Sequence, residues 1–148
     1  MAESNAVPTT AEVTALRGDI ANYIVDAKTL GDYTAMALAQ FKRDMMNKRA
    51  IKWTWVFDRT NDQYFLNSDS ESWNDDNCIN MIALLTVANI FTDYTISNTD
   101  SQWMELSEYY ESRYDDALKI AKLDLDTSED GTIDEGEEGR SGQAFFVK

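Results

Sequence analysis

Oxygen-bearing side chains recur at alternate positions late in the chain, in the run Asp126-x-Ser128-x-Asp130-Gly131-Thr132-x-Asp134-x-x-Glu137. A loop that wraps a hard divalent cation needs oxygens at positions 1, 3, 5, 7, 9 and 12, glycine at 6 for the sharp turn, and a bidentate carboxylate last. Every slot is filled. The chemistry on offer is Ca²⁺ binding by Asp126, Ser128, Asp130, the Thr132 carbonyl, Asp134 (directly or through water) and Glu137. Such a loop normally sits between two helices, however, and Gly136, Gly139 and Gly142 leave no exit helix after it. No second loop is present to pair with it. An acidic solvated turn that ends the preceding helix therefore weighs more than an occupied metal site.

Two further groups of residues are suited to binding. Lys42, Arg43, Lys48, Arg49, Lys52 and Arg59 bring six of the thirteen basic residues together beside Trp53 and Trp55. Such a patch suits an acidic partner, including the acidic segment of another copy of the chain. It is equally what a helix end shows when Lys and Arg gather at the negative pole of its dipole. The third group is the carboxyl end, where Phe145, Phe146 and Val147 follow the glycine-containing stretch Gly139-Arg-Ser-Gly142. An apolar end after a hinge suits addition to a partner's sheet edge or insertion in a groove; a terminus without fixed structure is the plainer alternative.

The composition removes most other chemistries. The chain has 148 residues, 27 acidic against 13 basic, a formal net charge of −14, one cysteine (Cys78) and no histidine. Without His, the commonest general base and metal ligand is missing, and one Cys permits neither an internal disulfide nor a thiolate cluster. Glycosidase-like chemistry needs two carboxylates held across a cleft, and no motif holds a pair. The six glycines match neither a phosphate loop nor a dinucleotide fingerprint. No enzyme is expected. General DNA or anionic-membrane binding is disfavoured by the net charge, since both need positive potential at the contact. Nothing at Met1 has the form of an export signal, so intracellular synthesis is expected.

The elements that must position these residues are helical. Thr9-x-x-Glu12 has the form of a capping box, and Val13, Leu16, Ile20, Tyr23, Ile24 and Ala27 recur at three- and four-residue steps, predicting a helix over about 10–28. Tyr33, Met36, Ala37, Phe41 and Met45, with Met46 beside them, predict a second over about 31–49. Ile51, Trp53, Trp55 and Phe57 then alternate with other residues, and turn residues Asp58–Asp62 precede Tyr64-Phe-Leu66, which reads as a small hairpin or loop insertion over about 50–67. Between Ile79 and Phe91 apolar residues cover almost every face, predicting a central bundle helix over about 76–95. Asn80, Asn89 and Asp93 interrupt the apolar run and argue against a membrane span. Asn98-Thr-Asp100 offers a cap, with Gln102 three residues after Thr99 in the box pattern, for a fourth helix over about 100–123. The expected fold is all-α: a four-helix-type bundle over 1–123, with an acidic loop and an extended C-terminal arm over 124–148. Residues 124–138 hold eight acidic residues and no basic one.

The helix order, and the reading Asp100-x-x-Trp103-x-x-Leu106-x-x-Tyr109-Tyr110-x-x-Arg113-Tyr114-x-x-Ala117-Leu118 in the last helix, resemble the small head–tail connector (adaptor, or head-completion) proteins of tailed bacteriophages. The resemblance covers about residues 10–123. It implies a structural virion protein of the neck, assembled in the host cytoplasm, whose copies form a ring, commonly of twelve. That ring would dock on the portal protein, present a surface to the next neck or tail protein, and let packaged DNA pass through without sequence-specific binding or any membrane contact. An acidic lumen suits such a conduit, and the surplus aromatics Trp103, Tyr109, Tyr110 and Tyr114 suit contacts between subunits. Two other readings stand beside it. One is a small intracellular Ca²⁺-binding interaction module built on 126–137; the other is an acidic DNA mimic, which needs carboxylates along a folded face and not gathered in a tail.

Overall fold

A computed structural model of the chain describes residues 8–24, 28–52, 54, 57–58, 63–64 and 78–120. It is an all-α structure in which four helices pack together: α1 (Thr10–Leu16), α2 (Leu30–Arg49), α3 (Cys78–Ser97) and α4 (Ser101–Ile120). A 3₁₀ turn, Ile20–Tyr23, lies between α1 and α2. Phe57 pairs with Tyr64 and Asp58 with Gln63 in a two-residue antiparallel ladder, too short to form a layer of its own.

The centre is α3. From Asn80 to Ala88 every residue is buried, more than two full turns of helix with no solvent face. A helix apolar all round can exist only inside a protein or a bilayer. By length and composition Ile79–Ser97 would also suit a bilayer span, but most of it is buried within this fold. α1, α2, the 3₁₀ turn and α4 all pack on it. Each contributes one stripe: Val13; Ile20; Tyr33, Ala37, Leu38, Phe41 and Met45; Tyr110, Tyr114, Ala117 and Leu118. Thr86 sits fully buried in α3 because its hydroxyl donates back to the Ile82 carbonyl at 2.8 Å.

Cross-links give the helix directions. Tyr33 near the start of α2 donates its hydroxyl to Asp93 near the end of α3, at 2.9 Å. Ser107 in the second turn of α4 donates to the Ala88 carbonyl in α3 at 3.1 Å, after a connection of only Asn98–Asp100. α2 and α4 therefore both run antiparallel to α3 and parallel to each other.

The first helix corrects the expectation of one continuous element over 10–28. The capping box forms as the residues require, with Thr9 and Glu12 bonded reciprocally at 2.8 and 3.2 Å. The helix nevertheless stops at Leu16, and Arg17 is extended at φ −151°. Gly18 is a poor helix residue and Asp19 competes for the backbone with its side chain. Asp19 accepts from Arg17 Nε at 2.8 Å and from the Tyr23 hydroxyl at 3.1 Å, which holds the bend. Val13 and Ile20 remain buried, so the apolar stripe is kept while the backbone bends around α3. The start of α4 is a smaller correction. Asp100, not Thr99, is the cap: its carboxylate accepts from the Gln102 amide at 3.2 Å, placing Gln102 at the second helical position, where a reciprocal box cannot close.

An aromatic group clamps the bend onto the bundle. Tyr23 lies 5.1 Å from Phe91, 5.1 Å from Tyr94 and 5.0 Å from Trp103, centroid to centroid. Pairs of this kind contribute about 0.5–1.5 kcal/mol beyond area burial. The Arg17 guanidinium lies 5.4 Å from the Phe91 ring centre and covers the group's outer side.

Ala50, directly after α2, is left-handed at φ 55°, ψ 34°. Its amide donates to Met46 and that of Ile51 to Met45, both at 3.1 Å, so the conformation closes the helix and drives Ile51 into the core. A Cβ in this region costs about 1–2 kcal/mol, which glycine avoids at some loss through the freer unfolded chain. Ala50→Gly should therefore raise the unfolding free energy by about 0.5–1 kcal/mol in urea titrations.

Asp93 joins three segments, since Lys28 Nζ also reaches its Oδ2, at 2.7 Å. Burial alone would raise its pKa, but the bonds from Lys28 and Tyr33 outweigh it and hold the carboxyl below its ordinary value. A carboxylate depressed on folding stabilises above its unfolded pKa, near 3.9, and that stabilisation disappears as pH falls through the lower folded value. The stability gap between the native chain and Asp93→Asn should thus be constant above about pH 5 and shrink steadily below about pH 4, followed by denaturant melts at each pH.

Candidate interaction surface

The basic group expected from the sequence is divided by the fold of α2. Arg43, Lys48 and Lys52 are exposed and Lys42 is half-buried, but Arg49 is 3% exposed and belongs to the interior. Its guanidinium is held below its ordinary pKa by that burial. Around the helix axis Arg43 lies about 120° and Lys48 about 100° from Arg49, while Lys42 lies at the margin of the buried stripe, so nearness in sequence did not make one patch. Arg49 is thereby withdrawn from the surface offered to a partner. Arg59, Trp53 and Trp55 lie outside the described residues. So do the Ca²⁺ loop residues Asp126, Ser128, Asp130, Thr132, Asp134 and Glu137, and the terminal Phe145, Phe146 and Val147. Among the described residues, no group of three or more His, Cys, Asp or Glu side chains is arranged to hold a metal ion.

What the fold adds is a neighbour the sequence did not indicate. Because α2 and α4 run parallel against α3, their later turns meet side by side. Tyr114 donates its hydroxyl to Asp44 at 2.7 Å, and Lys48 Nζ lies 3.4 Å from Asp115. Burial first, and then the bond to Asp44, push the Tyr114 phenol well above its ordinary pKa, so it stays a neutral donor. Just beyond, Lys48, Arg49, Asp115, Leu118 and Lys119 line a cavity of about 420 Å³. Lys119 is the basic residue in the last turn of α4, as Lys48 and Arg49 are in α2. Basic last turns were visible in the sequence; their adjacency was not, because it depends on the register of two helices that touch through a third.

The aromatic surplus of α4 also divides. Tyr110 and Tyr114 are buried and Trp103 is half-buried against the Tyr23 group, whereas Tyr109 stays 54% exposed. Met104 on α4 and Met36 and Met46 on α2 are exposed large apolar side chains as well. Arg113 lies 5.8 Å from the Tyr109 ring centre. This surface can bind apolar and charged groups.

The two links between α2 and α4 differ in weight. The Tyr114–Asp44 bond is partly buried and charge-assisted, while Lys48–Asp115 is exposed and long. Tyr114→Phe should cost about 1.5–3 kcal/mol, and Lys48→Ala less than about 1 kcal/mol, fading in high salt; equilibrium unfolding at low and high ionic strength reads both. In comparisons with protein families, curated proteins and solved structures, nothing matches this chain.

Proposed function

We propose that this chain is a structural, non-enzymatic protein of a tailed-phage neck. Its copies form a ring that docks on the portal, meets the next neck or tail protein, and lets packaged DNA pass from head to tail. The reading places it in the virion after assembly in the host cytoplasm. The observation that carries it is the division of the α4 pattern: Tyr110, Tyr114, Ala117 and Leu118 go to the core, while Met104 and Tyr109 remain outside. A helix that served only its own bundle would gain nothing from the second pair, and exposed Tyr and Met are enriched where proteins meet. The full proposed architecture includes a hairpin or loop insertion over about 50–67 and, over 124–148, an acidic loop and an extended arm whose apolar end, Phe145, Phe146 and Val147, engages the portal or a neighbouring copy. A polarised charge layout, acidic over most of the chain and basic over 42–59, suits a ring with a DNA-repelling lumen and cationic contacts between subunits. The alternative of a Ca²⁺-binding module rests on the spacing of 126–137 alone.

Negative-stain imaging and mass photometry of the full chain, alone and with the portal protein of the same phage, test this reading. A ring or a portal complex is expected. Tyr109→Arg combined with Met104→Asp should abolish assembly while leaving the melting temperature of the monomer unchanged within a few degrees, since both positions are exposed. A monomer that ignores the portal at micromolar concentration would overturn the neck reading.

A further inference from the structure

The cavity at the common end of α2 and α4 is cationic in a chain of net charge −14. Among the described residues, three basic side chains and one carboxylate line it, Lys48, Arg49 and Lys119 against Asp115, a net of two positive charges. The negative poles where α2 and α4 end offset about half a unit each. Arg49 is buried among its own contacts, so the charge presented to the opening is mainly that of Lys48 and Lys119, both exposed. Leu118 supplies an apolar floor. Neutralising the two helix poles takes about one positive charge and leaves about one more.

The chain itself carries the complementary charge close by. Lys119 is followed immediately by Ile120, the last described residue of α4, and the eight carboxylates of 124–138 begin four residues later. Four residues reach at most about 14 Å, so the first of these carboxylates starts within reach of the opening. A short tether of this kind supplies an effective concentration in the millimolar range without any further affinity. We propose that the cleft lined by Lys48, Leu118 and Lys119 seats the acidic segment 124–138 of the same chain. The segment's repulsion from the rest of an acidic molecule is relieved there by the two exposed lysines. This seat does not depend on the neck reading, and a monomer would show it as well as a ring.

Carbodiimide cross-linking of the full chain tests the seat directly, because it joins an amine to a carboxylate only when they touch. Lys119 is close to the segment along the chain, so Lys48 is the informative amine, and the shorter, more buried Lys28–Asp93 pair is the internal standard. An equal mixture of unlabelled and ¹⁵N-labelled chains separates links within a copy from links between copies. Lys48 should link to carboxylates of 124–138 within one copy, with yield falling at least about threefold between low and 0.5 M salt as screening shortens to a few ångströms. Lys28, at the far end of α2, should link to Asp93 and not to the segment. Lys119→Gln should lower the Lys48 yield about twofold with the melting temperature unchanged, an effect that a merely structural lysine would not produce. Absence of Lys48 links above the Lys28 background, links found only between copies, or a yield indifferent to salt would each overturn the proposal.

Discussion

Everything in this fold follows from one demand: the first half of α3 has no face that tolerates water. Its residues from Asn80 to Ala88 are all buried, and each large side chain hidden there contributes about 1.5–3 kcal/mol relative to exposure. That burial needs walls on every side. α2 and α4 lie antiparallel along it, and the α1 segment bends at Arg17 to cover the rest. Their own amphipathic stripes are incomplete without α3, so none of the outer helices has a partner of comparable size elsewhere. Removing the central helix would leave elements that barely touch one another.

Polar groups are arranged to respect that demand. Thr86 bonds to its own helix, and Ser107 bonds to the Ala88 carbonyl where α4 crosses, so hydroxyls in the core leave no orphaned donor. Ionic contacts are kept to the ends of the bundle. Asp93 gathers Lys28 and Tyr33 at one end; Asp44, Tyr114, Lys48 and Asp115 connect α2 to α4 toward the other. These bonds add little to stability beside the apolar burial, but they set register. A one-turn slip of α4 would separate Tyr114 from Asp44 and leave a phenol buried without an acceptor, at a cost of about 1–3 kcal/mol. The same register brings Lys119 next to Lys48 and creates the cationic cleft.

Much of this was legible in the residues. The unbroken apolar character of Ile79–Phe91 indicated a central helix, and the capping pair Thr9 and Glu12 marked where the first helix begins. The stripe Val13, Ile20 showed which side would be covered, yet its period could not reveal the bend at Arg17, because a 3₁₀ turn and a helix place those positions on nearly the same side over so short a run. The basic cluster misled for a related reason. Lys48 and Arg49 are adjacent in sequence but about 100° apart on the helix, and one faces solvent while the other is buried. The Thr29 box was there to be read, with Asp32 three residues on, and its reciprocal bonds at 2.8 and 3.2 Å hold the start of α2.

By itself, the sequence determined the helical class, the identity of the buried helix, and the polarity of the charge, with basic residues over 42–59 and acidic ones over 124–138. These are local or compositional properties, set by periodicity and by residue type. Only the tertiary structure decided which aromatic of α4 stays outside, that Arg49 is an interior residue, and that Lys48 and Lys119 share one cleft. Those outcomes depend on how two helices register against a third, and registry comes from packing shape and from long-range bonds such as Tyr114–Asp44, which join residues 70 positions apart and leave no periodic trace in the chain.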